Sequence, residues 1–301
     1  MAHIDQFGYG WITPALSYAL SVLGSVLGLI CAQRAREAHG TAQRAWWLML
    51  AAWAIGGTAI WSMHFMAMLG FSVTGAPIRY DIGLTAASAL IAIVTVGIGL
   101  FIAGMGRSML VKVLIGGVVA GLGVAAMHYT GMAAMRLHAE VHYDSTRVGL
   151  SIAIAVVAAA VALWLATNVR GALALFGSAL VMGVAVNGMH FTGMYAMSAT
   201  LHEEQGTASG ATASNLLVPI VLAVILVVIG LVYAVLAAPT ADDRAGVEYI
   251  QSRMADRLDS LTPEAPAPAP DPHGLAARSG DGAAKPNPGS DGLSSRFQSR
   301  R

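Results

Sequence analysis

The chain has 301 residues, of which 56% are hydrophobic and 11% charged, against about 25% charged in ordinary soluble domains. Its mean hydropathy is +0.65, and a formal net charge of +1 gives no basis for a nucleic-acid partner. A single cysteine, Cys31, excludes an internal disulfide framework.

Seven apolar runs follow in chain order, at roughly 13–32, 46–70, 82–104, 112–135, 148–167, 172–198 and 216–238. Each is long enough to cross a hydrocarbon core of about 30 Å. Only helices span in this way, because every backbone polar group must be satisfied within the segment. No basic segment precedes the first run, which argues against a cleaved signal peptide and against a lipoprotein site at Cys31. Cys31 reads as a packing residue.

Orientation follows from the basic residues of the short loops. One set of loops holds Arg34, Arg36, Arg44, Arg107, Lys112 and Arg170; the opposite set holds Arg79, Arg136 and Arg147. The richer set is assigned to the cytoplasm. That puts the N-terminus outside and the C-terminus inside, in a multi-pass membrane protein.

Self-comparison reveals a repeat. Met63-His64-Phe65-Met66-Ala67-Met68 ends the second run, Met127-His128-Tyr129-Thr130-Gly131-Met132 the fourth, and Met189-His190-Phe191-Thr192-Gly193-Met194 the sixth. The loops that follow also match: Tyr80-Asp81-Ile82-Gly83-Leu84 parallels Tyr143-Asp144 and then Val148-Gly149-Leu150. A fixed period marks repeated structural units. Each unit is read as an outside-to-inside helix, an inside-to-outside helix and an outer loop. Equivalent positions are separated by an even number of spans, so the copies are parallel and related by an axis along the membrane normal. The fold class is therefore all-α: a polytopic transmembrane bundle of about seven spans with three parallel two-helix repeats. His64, His128 and His190 should share one depth near the outer face and point inward, because a lipid-facing imidazole would strand its polar nitrogens.

After the seventh run the chain becomes polar. Val247, Ile250, Met254, Leu258 and Leu261 are spaced as an amphipathic helical seam, suited either to pairing or signalling or to lying on a membrane surface. From Pro263 the sequence is rich in Pro, Ala, Gly and Ser and cannot bury a core. The expected organisation is a seven-span domain over 1–240, an amphipathic cytoplasmic helix over 241–262 and a disordered tail over 263–301. No cytoplasmic catalytic domain is expected to follow.

The three histidines carry the candidate chemistry, since ionisable groups within membrane spans are functional by default. On a helix, positions i and i+4 share a face, which pairs His64 with Met68, His128 with Met132 and His190 with Met194. Met135 and Met197 extend the stripe at i+7. Nine of the fifteen methionines lie in these segments. Thioether sulfur is soft and favours Cu(I), and imidazole suits copper generally, so the pattern fits copper better than zinc. Tyr129, Thr130, Asn187 and Thr192 are placed to orient the imidazoles by hydrogen bonds. In the outer loops His138, His142, Asp144, His202, Glu203 and Glu204 offer capture positions for a metal ion. There is no Cys-x-x-Cys, no phosphate loop in the right context and no catalytic triad, so no enzyme activity is expected.

Met127-His128-Tyr129-Thr130 resembles the signature of the MHYT family of bacterial membrane sensor domains, with Met189-His190-Phe191-Thr192 and Met63-His64-Phe65-Met66 similar to its sister copies. The resemblance covers about residues 10–238. It implies a copper site near the outer face that senses a diatomic gas, with Met63, His64, Met68, Met127, His128, Met132, Met189, His190 and Met194 as ligands. The first copy departs from the pattern, with Met66-Ala67 where the others have Thr-Gly. Many members also carry cyclic-di-GMP enzymes or DNA-binding outputs. None is seen here, which points to a standalone form acting through a cytoplasmic signalling partner or a homo-oligomer. The leading expectation is a copper-dependent membrane sensor of a diatomic gas or of redox state. The alternatives are a transporter or channel, for copper or another small solute, and a haem-binding membrane protein.

Overall fold

The computed structural model describes residues 4–74, 76–105, 109–137, 139–201, 210–238 and 241–261. Arg107, His138, His202, Glu203, Glu204 and the segment 263–301 lie outside the described residues. The chain divides into two units, Met1–Ala238 and Pro239–Arg301.

Among the described residues of the first unit, seven helices are long and apolar enough to cross a membrane. They are α1 (Ile12–Glu37), α2 (Thr41–Met68), α3 (Ile82–Gly104), α4 (Met109–Ala133), α5 (Ser145–Asn168), α6 (Ala172–Met194) and α7 (Ala213–Ala237). Successive helices α1 to α6 pack side by side, and α6 returns against α1, so the six close into a ring. Small residues let them approach closely, as glycine does in membrane interfaces. A Cβ on Gly121 of α4 would fall 2.4 Å from the Cα of Val156 on α5, and one on Gly99 of α3 would fall 2.9 Å from the carbonyl oxygen of Gly116 on α4. α7 packs outside the ring, against α1 and α2.

α2 is not uniform. Its middle, Trp53–Ser62, is a π-helix, and the α-helical form resumes over Met63–Met68. The Ser62 hydroxyl donates to the Gly57 carbonyl at 2.8 Å, bridging five residues as the wider turn requires. His64 lies 23 residues past the start of its helix, whereas His128 lies 19 and His190 18 past theirs. π turns hold more residues for a given length, so the segment takes up surplus sequence and brings His64 level with the other two. π segments of this kind concentrate at functional sites.

At the histidine end the helices stop earlier than the apolar runs do, and short antiparallel strands take over. These are β1 (Ile4–Asp5) with β2 (Ser72–Val73), β3 (Arg79–Tyr80) between β4 (Met135–Arg136) and β7 (Ala211–Thr212), and β5 (Ala139–Tyr143) with β6 (Met197–Leu201). The methionine stripe is corrected accordingly: Met135 and Met197 sit on strands, not at the third turn of their helices. Both are still buried, in an outer cluster with Phe65, Met68, Phe71, Tyr80, Met132 and Met194. The strands satisfy backbone groups that a broken helix would leave bare.

Asp81 and Asp144 repeat one capping device. Each side chain accepts a hydrogen bond from the backbone N–H three residues on, at 3.0 and 2.8 Å, and so starts α3 and α5. Asp81 also pairs with Arg136 at 2.7 Å across the repeat boundary. The Leu84 backbone N–H, followed by the Arg136 guanidinium, holds the Asp81 carboxyl below its usual range. A carboxyl depressed in the folded state stabilises above its unfolded pKa, and that stabilisation is lost as pH falls through the lower folded value. Asp81→Asn is therefore expected to flatten the fall in thermal midpoint of the detergent-solubilised protein below about pH 4. An unchanged acid limb would contradict this.

At the opposite end Arg36 of α1 reaches the last turn of α5. Its guanidinium donates to the carbonyl oxygens of Ala166 and Val169, satisfying two of the acceptors that every helix C-terminus leaves open. In the second unit the described residues form an amphipathic helix, α8 (Ala241–Leu261), which exposes Val247, Ile250 and Met254.

Candidate metal centre

His64 of α2, His128 of α4 and His190 of α6 converge on the ring axis and are buried, at 1%, 0% and 1% exposure. Their Nδ1 atoms lie 3.0 Å (64 to 190), 3.2 Å (128 to 64) and 3.3 Å (190 to 128) apart. The rings meet edge to face, at interplanar angles of 79 to 88°. The three histidines form one cluster that could hold a metal ion, with one histidine from each repeat.

Proton bookkeeping shows what this geometry needs. A neutral imidazole carries one N–H, and a hydrogen bond between two Nδ1 atoms needs one protonated and one bare. Three atoms cannot alternate around a triangle, so the contacts cannot all be hydrogen bonds. A single cation on the axis resolves the conflict by accepting all three lone pairs. The point equidistant from the three nitrogens, the side length divided by √3, lies about 1.8 Å from each, close to the roughly 2.0–2.1 Å of metal–imidazole bonds. The residues present thus fit a metal ion. They do not fit haem held between paired histidines, because nitrogens 3.0 Å apart leave no room for a macrocycle between them.

The outward nitrogens explain two glycines. Every Nε2 is buried with no hydrogen-bond partner among the described residues. A Cβ on Gly131 would stand 2.3 Å from the Nε2 of His64, and one on Gly193 would stand 2.3 Å from the Nε2 of His128. The backbone of the next repeat thus backs the rings of His64 and His128, and at these two places only glycine leaves room. In the first copy Ala67 takes the corresponding place.

All six predicted methionine ligands are buried: Met63, Met68 and Met127 at 0%, Met189 at 1%, Met132 and Met194 at 2%. Met68, Met132 and Met194 belong to the outer cluster, while Met127 and Met189 belong to the main core. Met63, buried as well, directly precedes His64 as Met127 and Met189 precede the other two histidines.

Three of the four residues predicted to orient the rings spend their side-chain hydrogen bonds elsewhere. The Tyr129 hydroxyl shares a 2.7 Å bond with Ser151. Asn187 accepts from Ser17 and donates to Ser21 and to the Gly183 carbonyl. Thr192 donates to the Gly188 carbonyl of its own helix, and Thr130 is half-buried. Helical hydroxyls find the carbonyl one turn back more readily than a ring across the axis. These contacts belong to a pattern that sequence reading missed. Trp61 of α2 donates to Ser88 of α3 at 3.1 Å, Tyr129 of α4 bonds Ser151 of α5, and Asn187 of α6 bonds Ser17 and Ser21 of α1. Each histidine helix is tied by a polar side chain to serine on a neighbouring ring helix. Of the predicted capture residues within the described set, His142 lies 3.8 Å from Glu140 on β5, and Asp144 caps α5; neither joins the triad.

Comparison with known proteins agrees with the repeat. The family profile described as "Bacterial signalling protein N terminal repeat", MHYT, matches three times, at residues 57–117, 121–179 and 183–246. Its unit begins just before each histidine, so it pairs α2 with α3, α4 with α5 and α6 with α7. This shifts the sequence-based unit by one helix and leaves α1 outside the repeats. The chain is 36% identical over 269 residues to the bifunctional diguanylate cyclase/cyclic di-GMP phosphodiesterase MucR of Pseudomonas aeruginosa, covering 84% of this chain and 39% of that protein. It is 39% identical over 158 residues to the cyclic di-GMP phosphodiesterase NbdA of the same organism, covering 50% of this chain and 20% of the relative. The signaling protein YkoW of Bacillus subtilis is 31% identical over 164 residues, again 50% and 20% of the two chains. The chain thus spans less than half the length of these relatives. No solved structure matches it. Seven apolar helices and three matched repeats describe a multi-pass signalling domain of the bacterial inner membrane, and the chain belongs to the MHYT family.

Proposed function

We propose that this protein is a membrane sensor in which His64, His128 and His190 hold one copper ion through Nδ1, and that a diatomic gas or a redox change alters the occupancy or geometry of that site. The observation that carries this reading is the mutual contact of three Nδ1 atoms at 3.0–3.3 Å in a buried site. Copper is favoured over zinc by the thioethers near the site, since soft ligands select Cu(I). Met68, Met132 and Met194 on the strand side, and Met63, Met127 and Met189 beside the histidines in sequence, are alternative sulfur donors, of which one at most would join the three imidazoles and would yield its place to an incoming ligand. Three imidazoles leave a coordination position open for a small ligand, as an active metal site requires. Binding there would bias the packing of α2, α4 and α6, and a ligand shifts a conformational equilibrium by its differential affinity for the two states. Output would pass to a cytoplasmic partner or to a second copy of the chain.

A buried methionine and aromatic cluster closes the axis on the strand side, which supports a resident ion over a conducted one. Two measurements test the reading together. Cu(I)-loaded protein exposed to carbon monoxide is expected to show a new bound C–O stretching band, and sealed proteoliposomes are expected to take up no copper. Saturable copper uptake would overturn the sensor in favour of a transporter. Absence of any carbonyl band would overturn gas sensing at this metal.

A further inference from the structure

Four residues before each histidine stand Ile60, Val124 and Val186. These three, with Met189 and Ser25 of α1, line a cavity of about 50 Å³ on the side of the triad away from the strands. The lining is apolar except for Ser25. Ser25 is 1% exposed, and its hydroxyl has no hydrogen-bond partner among the described residues. A buried water needs two to four polar partners, and this cavity offers one, so it stays dry. Its size excludes ring-sized guests, since roughly 150 Å³ is needed for benzene. Half-buried alanines of α5 and α6, Ala159 and Ala185 among them, line the same space. The cavity therefore reaches the lipid-facing seam between those two helices.

We infer that this cavity is a binding site for a small uncharged molecule of two or three heavy atoms, taken from the bilayer and held one helical turn beneath the histidines. The Ser25 hydroxyl donates the one hydrogen bond the site can offer. The apolar walls and the membrane route select against ions and against water-borne polar solutes. The cavity exists without a metal; its role as the place from which a ligand meets the triad rests on the copper reading above.

Xenon is the probe, applied to the full chain in detergent and followed by 129Xe NMR and by diffraction from xenon-pressurised crystals. One xenon is expected among Ile60, Val124 and Val186, with or without copper. Ala159→Leu, which fills the seam side, is expected to abolish that xenon. It should also slow carbon monoxide binding to the copper-loaded protein tenfold or more, at unchanged copper content. Ala155→Val, a smaller filling change, serves if Ala159→Leu does not fold, with the same expected direction. Xenon elsewhere only, a lipid acyl chain occupying the cavity, or xenon retained in both variants would overturn the inference. Xenon bound as expected in protein that takes up no copper would overturn the copper reading alone. Copper bound without xenon would overturn the cavity site alone.

Discussion

His128→Ala is expected to lower copper affinity a hundredfold or more, about 2.8 kcal/mol at 1.4 kcal/mol per decade. His64→Ala and His190→Ala are expected to match it. The equivalence follows from the triangle: each Nδ1 touches the other two within 0.3 Å of the same distance, so no histidine is peripheral. Stability gives a second readout. A ligand that binds only the folded state stabilises it by about 2.7 kcal/mol at a hundredfold excess over its Kd. Copper should therefore raise the thermal midpoint of the wild type and leave that of each alanine variant in place. One histidine variant that keeps wild-type affinity would show that the three do not share an ion.

Gly131→Ala and Gly193→Ala are expected to weaken copper binding at least tenfold without removing any ligand. The new Cβ would stand 2.3 Å from the Nε2 of His64 or of His128, far inside van der Waals contact. The imidazole is fully buried and cannot yield into empty space, so it must tilt its Nδ1 off the axis or push its own helix outward. Overpacking of this kind costs about 1–3 kcal/mol, and a lower thermal midpoint of the metal-free protein should accompany the lost affinity. Gly177→Ala is the matched control. It lies on the same helix as His190, and an added Cβ there meets nothing within 4 Å. It should gain up to about 1 kcal/mol of helix propensity and bind copper normally. Equal affinity in all three variants would mean that the glycines serve helix packing and not ring position.

The spans and the common depth of the histidines were legible because both are one-dimensional. Apolar runs show in composition, and the recurrence of Met-His fixes the level of each ring once the spans are counted. That the rings point inward follows from the cost of stranding imidazole nitrogens in lipid. Their meeting at one point was not legible, because it depends on how six helices close into a ring and on which nitrogen turns to the axis. The polar ties were hidden for the same reason. Ser88, Ser151, Ser17 and Ser21 look like ordinary membrane-helix serines until the neighbouring helix supplies Trp61, Tyr129 or Asn187. Asn187 stands one turn before His190 in the sequence, yet its bonds run to α1. The helix ends misled at Met135 and Met197, where hydropathy continues but the backbone has already turned into strands. The π segment of α2 left one sign: too many residues between the start of that helix and His64.

The central claim is one metal ion shared by three histidines, and elemental analysis tests it most directly. The full chain, purified in detergent after loading with Cu(I) and removal of excess, is expected to retain one copper per chain, and the His64→Ala/His128→Ala/His190→Ala triple variant none. Two or three copper ions per chain would indicate separate sites. Wild-type protein that retains no copper, or a triple variant that retains as much as the wild type, would contradict the account.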